Sequence, residues 1–245
     1  MPASADRLTH ERAHWQTHPG GILAGVDEAG RGPLAGPVVA AALILPPDAA
    51  GAGLAGPLRE LTDSKQLSPS RREAFYEMLI AHPDSAIGVG WCGVEEIDEL
   101  NILCATHLAM RRALLALSRR PDHALVDGLP VQGLPCASTA IVKGDAQSLL
   151  IAGASVIAKV LRDRRLKELD CQYPGYGFAQ NKGYGTNDHI QALLRLGPCP
   201  EHRRSFRPVQ DALQALPGLL KQDNRRQPVS ARHQRHSSAS RPDHG

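Results

Sequence analysis

With 245 residues, a hydrophobic share of 42% and aromatics at only 4%, the chain can bury one large core of Val, Ile, Leu and Ala but not several domains. Its formal charge of +3 conceals an imbalance: residues 221–245 carry six Lys/Arg against two Asp/Glu, so the 28 basic and 25 acidic residues of the whole chain leave 22 and 23 for positions 1–220. A body of net charge −1 gives no argument from global charge for nucleic-acid binding, and any phosphate binding there depends on local placement.

The N-terminal MPASADRLTHERAHW mixes both charge signs and has no apolar core, which excludes a secretory leader, and residues 1–18 read as an extension. Residues 22–26 and 38–45 have strand character, the second apolar on both faces as in a central strand. Residues 46–62 are rich in Gly, Pro and Ala and read as a surface loop. Ser68-Pro69 sets an N-cap before a first-turn proline and predicts a helix to about Ile80. Residues 86–92 form a third predicted strand. One helix is predicted over 95–117, with Leu100, Leu103, Leu108, Leu114 and Leu115 available for packing.

Two short strands, 123–126 and 138–142, end at Asp127-Gly128 and at Lys143-Gly144-Asp145. A long helix over 146–169 turns basic toward its end, which suits the helix dipole. The Gly- and Tyr-rich YPGYGFAQNKGYGTNDH follows as a loop, then a helix near 188–196, an irregular 198–207 and a last helix over 209–220. From Lys221 onward almost nothing can be buried, and 221–245 reads as a disordered basic tail. The alternation predicts an α/β domain over 19–220 with a mixed sheet. No apolar run is long enough to cross a bilayer. Cys92, Cys104, Cys136, Cys171 and Cys199 form no C-x-x-C pair, which suits a reducing cytosol and argues against zinc.

Asp27-Glu28, Asp127 and Asp145 share one feature: each closes a β-type run and meets glycine. Carboxylates at the ends of several strands of one sheet converge on one edge, where α/β sites lie. Neighbouring side chains on a strand point to opposite faces. Asp27 and Glu28 are therefore expected to share a site only if the strand stops or bulges there, and Gly30 and Gly32 suit such a turn. Clustered acids need a counter-charge, and oxygen-only ligands suit Mg²⁺ or Mn²⁺. Two such ions about 4 Å apart can activate water and stabilise the departing oxygen of an in-line phosphoryl displacement. Singly, Asp127-Gly128 and Asp145 read as well as turn acids; jointly the acids point to metal-dependent phosphoryl chemistry.

These residues sit in motifs that resemble ribonuclease HII, the type 2 ribonuclease H family. DEAGRG at 27–32 is followed by PLAGPVVAAA, then DSKQLS at 63–68, VDG at 126–128, KGDA at 143–146 and ASVIAKVLRD at 154–163. YPGYGF and NKGYGT within 173–186 and HRRSF at 202–206 complete the order, over roughly 20–210. The resemblance implies a ribonuclease H-like mixed β-sheet flanked by helices, with a small helical C-terminal part. It implies divalent-metal-dependent endonucleolytic hydrolysis of RNA in RNA–DNA hybrids. It also implies cutting 5′ of a single ribonucleotide embedded in duplex DNA, leaving 3′-hydroxyl and 5′-phosphate ends, as in ribonucleotide removal during replication and repair.

By position, the family's four metal-site acids fall on Asp27, Glu28, Asp127 and Asp145. The 2′-hydroxyl distinguishes RNA from DNA, and glycines let backbone N–H and C=O groups approach it closely; the family gives this role to Gly30, Arg31 and Gly32. Tyr184 matches the tyrosine that stacks on the sugar just 3′ of the ribonucleotide. Lys65, Lys143 and Lys182 fall within family motifs as phosphate contacts. Tyr173 and Tyr176 read instead as core tyrosines. Asp163 stands five helical turns from Asp145, about 27 Å, so both cannot ligate one ion; Arg162, Arg164 or Lys167 is its expected partner. His107, His189 and His202 lack metal-like spacing and read as structural or surface groups.

Leu129-Pro130 follows VDG where the family often has Asn, and Gly153 replaces a helical alanine at a cost of about 1 kcal/mol. A cytoplasmic monomer is expected, and the tail either adds salt-sensitive DNA affinity or has no role. Two rivals are a type 3 hybrid nuclease, whose usual N-terminal domain has no room before Asp27, and a non-catalytic hybrid binder, expected to lack one of the acids.

Overall fold

A computed structural model of the chain describes residues 7–223; the expected tail lies, from residue 224 on, outside the described residues. The sheet is built from β1 (Leu23–Ala29), β2 (Val38–Ile44), β3 (Ala86–Cys92), β4 (His123–Asp127) and β5 (Ala137–Ile141), in the spatial order β3-β2-β1-β4-β5. β1 pairs antiparallel with β2, and β2 with β3, whereas β4 joins β1 and β5 in parallel. The mixed sheet expected from the strand order is thus the one observed.

Helices cover both faces: α1 (Thr9–Thr17), α2 (Pro47–Ala55), α3 (Pro69–Ala81), α4 (Val94–Leu100), α5 (Ile102–Leu115) and α6 (Leu149–Gln172), followed by α7 (Phe178–Asn181), α8 (Asn187–Leu196) and α9 (Arg207–Asp223). The strand alternation of period two divides the core. Ala41 and Leu43 of β2 face the layer that contains α6, while Ala40, Ala42 and Ile44 face the layer of α5. Both helices lie unusually close to the sheet. A Cβ on Gly25 would stand 2.2 Å from the backbone carbon of Leu150, and one on Gly90 2.0 Å from the Ala109 carbonyl oxygen.

Local signals located most elements. Ser68 Oγ accepts from Arg71 N–H at 3.3 Å and opens α3 where the cap was expected. Three expectations need correction. Residues 46–62 are only partly a loop: Pro47 starts α2 after an extended Pro46, 56–62 remain turn and irregular, and Ala49, Ala50, Leu58 and Leu61 are buried. Proline at the first helical position and alanine beyond it favour the helix despite the glycines. The helix predicted over 95–117 is two helices. Asn101 breaks it at φ 68 and its Oδ1 caps α5, accepting from Leu103 and Cys104 N–H at 3.0 and 3.1 Å. Leu100, Leu103 and Leu115 are exposed, and of the five leucines only Leu114 is buried.

The N-terminal extension forms α1, an element with no periodic apolar signal. It is fastened by a buried acid: Glu11 Oε1 accepts from Ser148 Oγ–H at 2.7 Å and from Leu150 N–H at 3.1 Å, at the first turn of α6. Among the described residues no helix is long and apolar enough to cross a membrane.

Candidate active site

β1 and β4 stay paired only as far as Val26 and Val126, whereas β1 remains in register with β2 through Ala29 and β4 with β5 through Asp127. The expectation that the strand stops or bulges at Asp27 is therefore corrected. The strand runs on, and what ends is its ladder to β4. At this opening lies a cleft of about 900 Å³ lined by Asp27, Glu28, Gly30, Arg31, Gly32, Lys65, Asp127, Asp145 and Tyr184. Three segments far apart in sequence thus bring the four predicted acids to one place.

Each acid is held by its own element. Asp27 is buried, and its Oδ1 accepts from Glu28 N–H at 2.6 Å. Burial, then the charges of Glu28 and Asp127, push its carboxyl well above the carboxylate range. Burial also raises Glu28, against the pull of Arg31, whose Nη1 lies 3.4 Å from Glu28 Oε1. Asp127 Oδ1 accepts from Gly144 N–H at 2.6 Å, which ties the end of β4 to the 3-10 turn Gly144–Ala146 and so to Asp145. The Asp145 carboxyl is pushed up to about 6 by burial, then by Asp63 and Asp127, with Lys65 pulling it down. Sequence reading did not single out Asp63. Its signal was the DSKQLS motif, in which Asp63 Oδ1 accepts from Lys65 N–H at 2.9 Å as a local turn.

Among the described residues no group of three or more His, Cys, Asp or Glu is arranged to hold an ion by itself. Hard divalent ions do not require one. Mg²⁺ keeps several waters and takes one or two carboxylates together with substrate phosphate oxygens. Mutually repelling carboxyls with oxygen-only donors suit that kind of ion and no softer one.

In the same cleft Gly32 and Tyr184 meet: a Cβ on Gly32 would stand 3.6 Å from Tyr184 Cε1. Tyr184 is 44% exposed, and its carbonyl is held from behind. Cys199 N–H donates to His202 Nδ1 at 3.0 Å, the two Nε2 atoms of His202 and His189 are 3.0 Å apart, and His189 Nδ1 lies 2.8 Å from the Tyr184 carbonyl. A carbonyl only accepts, so His189 carries its proton on Nδ1 and takes one from His202 Nε2–H. Both histidines are buried, in the structural role expected. Tyr176, also buried, donates its hydroxyl to Gly197 O at 2.6 Å.

Lys143 and Lys182 do not line the cleft. Lys143 adopts a left-handed conformation just before the 3-10 turn, and the Lys182 ammonium is turned to the Ala179 carbonyl. Arg72 and Lys159, which the sequence did not flag, do line it. They hold Asp163, Lys159 Nζ at 2.6 Å and Arg72 Nη2 at 3.9 Å. The expected partner is thus corrected: Arg164 goes instead to Glu73 and Glu77 at 2.6 and 3.1 Å. The i,i+4 spacing of Lys159 and Asp163 was the available signal.

A family model described as Ribonuclease HII matches residues 24–209. Ribonuclease HII of Geobacillus kaustophilus (strain HTA426) is 54% identical over 193 residues, 79% of this chain and 71% of the relative. The crystal structure of ribonuclease H2 from Pyrococcus horikoshii OT3 aligns with a TM-score of 0.66 at 29% identity, over 80% of this chain and 99% of that one. Bst-RNase HIII, solved in complex with Mn²⁺, shares the fold at a TM-score of 0.63 and 18% identity, over 79% and 69% of the two chains.

Proposed function

The chain belongs to the ribonuclease HII family, endonucleases that hydrolyse the RNA of RNA–DNA hybrids, and we propose that it also cuts duplex DNA 5′ of a single embedded ribonucleotide. The products are 3′-hydroxyl and 5′-phosphate ends, and the setting is ribonucleotide removal in replication and repair by a cytoplasmic monomer. Residues 19–220 are the catalytic domain in this reading. One observation carries it: Asp27, Glu28, Asp127 and Asp145 line the same cleft as Gly30, Arg31, Gly32 and Tyr184. The elements that would cut and those that would recognise a ribose are neighbours.

In this reading Asp27, Glu28, Asp127 and Asp145 hold Mg²⁺ or Mn²⁺, and when bound such ions supply an activated water and stabilise the departing oxygen. The protein's own part is placement. Asp127 fixes the Gly144 turn and with it Asp145. Residues 30–32 offer backbone groups to the 2′-hydroxyl, which is absent at a deoxyribose. Tyr184, half-exposed beside Gly32, offers a ring to the next sugar. Arg31 and Lys65 stand at the cleft to meet phosphates. A non-catalytic hybrid binder is disfavoured because all four acids are present.

The test is incubation of the chain with a duplex carrying one ribonucleotide, with Mg²⁺ or Mn²⁺ and with chelator. A metal-dependent nick on the 5′ side of the ribonucleotide is expected. Cutting confined to long hybrids would overturn the single-ribonucleotide reading, and no metal-dependent cut at all would overturn the assignment of the four acids.

A further inference from the structure

Two arginines packed against residues 30–37, of which Arg162 also borders the cleft, take no part in the chemistry above. Arg162 on α6 is 1% exposed, and Arg203 in HRRSF is 0% exposed. All their side-chain hydrogen bonds run to backbone carbonyls. Arg162 donates from Nε to Pro37 O at 3.0 Å, from Nη2 to Ala35 O at 3.1 Å and from Nη1 to Lys182 O at 3.0 Å. Arg203 donates from Nη2 to Gly30 O at 2.6 Å and Gly36 O at 2.8 Å, from Nη1 to Arg31 O at 2.9 Å, and from Nε to Gly36 O at 3.0 Å. Its backbone N–H donates to Leu34 O at 2.8 Å.

The carbonyls of residues 30, 31 and 34–37 are therefore turned onto these two side chains and their backbone. The N–H groups of Arg31 and Gly32 have no acceptor among the described residues. Arg162 also reaches the segment that carries Tyr184, through Lys182 O, and Leu34 N–H donates to Gly183 O at 2.7 Å. The fit is tight. Gly30 has φ +99, and a Cβ there would stand 2.1 Å from Arg162 Nε.

Burying a guanidinium with no carboxylate among its hydrogen-bond partners is costly. Burial draws Arg162 down to about 10 and Arg203 to about 9. Apolar side chains of similar volume would commonly give as stable a fold or a more stable one. What they could not do is fix several carbonyls in one arrangement, which the planar five-donor fork does.

We propose that Arg162 and Arg203 are positioning residues for ribose recognition, setting residues 30–37 against the Tyr184 segment before substrate arrives. The unengaged N–H groups of Arg31 and Gly32 then meet the 2′-oxygen without first ordering the loop, and preorganisation of this kind raises affinity by removing an ordering cost. The inference rests on the proposed cutting at single ribonucleotides.

R203K and R162K in the full chain test it, because lysine keeps the charge and one carbonyl contact but loses the fork. Four quantities are read: the melting curve, kcat and KM on a duplex with one ribonucleotide, and the inhibition constant of the matching all-DNA duplex. Both variants are expected to fold and to lose on the order of 100-fold in kcat/KM, the scale of a small misplacement of binding groups. The all-DNA inhibition constant should hardly change. Unchanged kcat/KM in a folded variant would overturn the inference, and so would equal weakening on both duplexes, which marks a general phosphate contact. Collapse of both variants would overturn it too, by making the arginines supports of the whole fold. An unaltered chain that fails to nick the single ribonucleotide would refute the proposed function itself, an outcome distinct from variants that match an active parent.

Discussion

Replacing Asp27 with Asn should abolish nicking and, without metal, make the fold more stable. Asp27 is 5% exposed, and burial followed by the charges of Glu28 and Asp127 holds its carboxyl well above the usual range. The unfolded chain has no such repulsion. A raised folded-state pKa in an acid means that the native state binds the proton more readily, so stability is lost as pH climbs from the ordinary carboxylate value through the folded one. The benefit of Asn therefore grows with pH and is absent in acid. Two unit charges about 5 Å apart in an effective dielectric near 20 repel by roughly 3 kcal/mol. Coupled carboxyls share protons and relieve part of this, which leaves about 1–3 kcal/mol. For a chain of this length that is a rise in Tm of roughly 2–12 °C. Asn keeps an oxygen to accept the Glu28 N–H, so that hydrogen bond survives. Melting in EDTA at a pH of about 8, with nicking followed on gels, measures both effects. Saturating Mg²⁺ should reverse the order, since an ion held by the native acids stabilises only the unaltered chain. A variant that melts lower in EDTA, or equal stabilisation of both proteins by Mg²⁺, would refute the reasoning.

Glu11→Ala should cost about 2–4 kcal/mol by removing a buried carboxylate from two donors at the start of α6. Urea unfolding measures the loss, while kcat per folded molecule stays the same. His202 should make the fold acid-sensitive. Burial, then His189, holds its imidazole down to about 4, so the unfolded chain takes up a proton first and stability falls from about pH 6.5 toward 4, by on the order of 3 kcal/mol. Melting curves against pH for the unaltered chain and His202→Gln check this, since only the former should carry that component of the slope.

Legibility followed the range of the interaction. The Ser68 cap and the apolar runs of the strands are signals local in sequence, and they stand where expected, except that β1 runs on past Val26 to Ala29. Elements fixed by distant partners were not readable. α1 is held by Glu11 reaching Ser148 across the chain, and nothing in THERAHWQT signals that contact. Asn101 reads as one polar residue in a helical stretch until its φ of 68 and its bonds to Leu103 and Cys104 make it a break. The four acids were legible as motif positions. How adjacent Asp27 and Glu28 come to one cleft was not, because the answer is an end to pairing with β4, a property of the sheet and not of the strand. Arg162 shows the same limit: between Leu161 and Asp163 it looked like a surface ion-pair partner, yet its guanidinium is spent on carbonyls of residues 35, 37 and 182.

With a net charge of −1 over residues 1–220, phosphate binding depends on the charges placed in the cleft. Within the cleft the acids and most of the cations come from different elements, Arg31 beside Glu28 being the exception. Asp27, Glu28, Asp127 and Asp145 come from strand ends and the turn after β5, while Lys65, Arg72 and Lys159 come from the α3 side and from α6. A divalent ion on the acidic side and a phosphodiester spanning toward the cationic side would complete each other's charge, so neither half needs support from the rest of the protein. Affinity would then depend steeply on metal and only weakly on bulk charge. In the proposed reading, a duplex that meets the cations but brings no 2′-oxygen to the N–H groups of Arg31 and Gly32 would gain the part of the binding common to all DNA and no more.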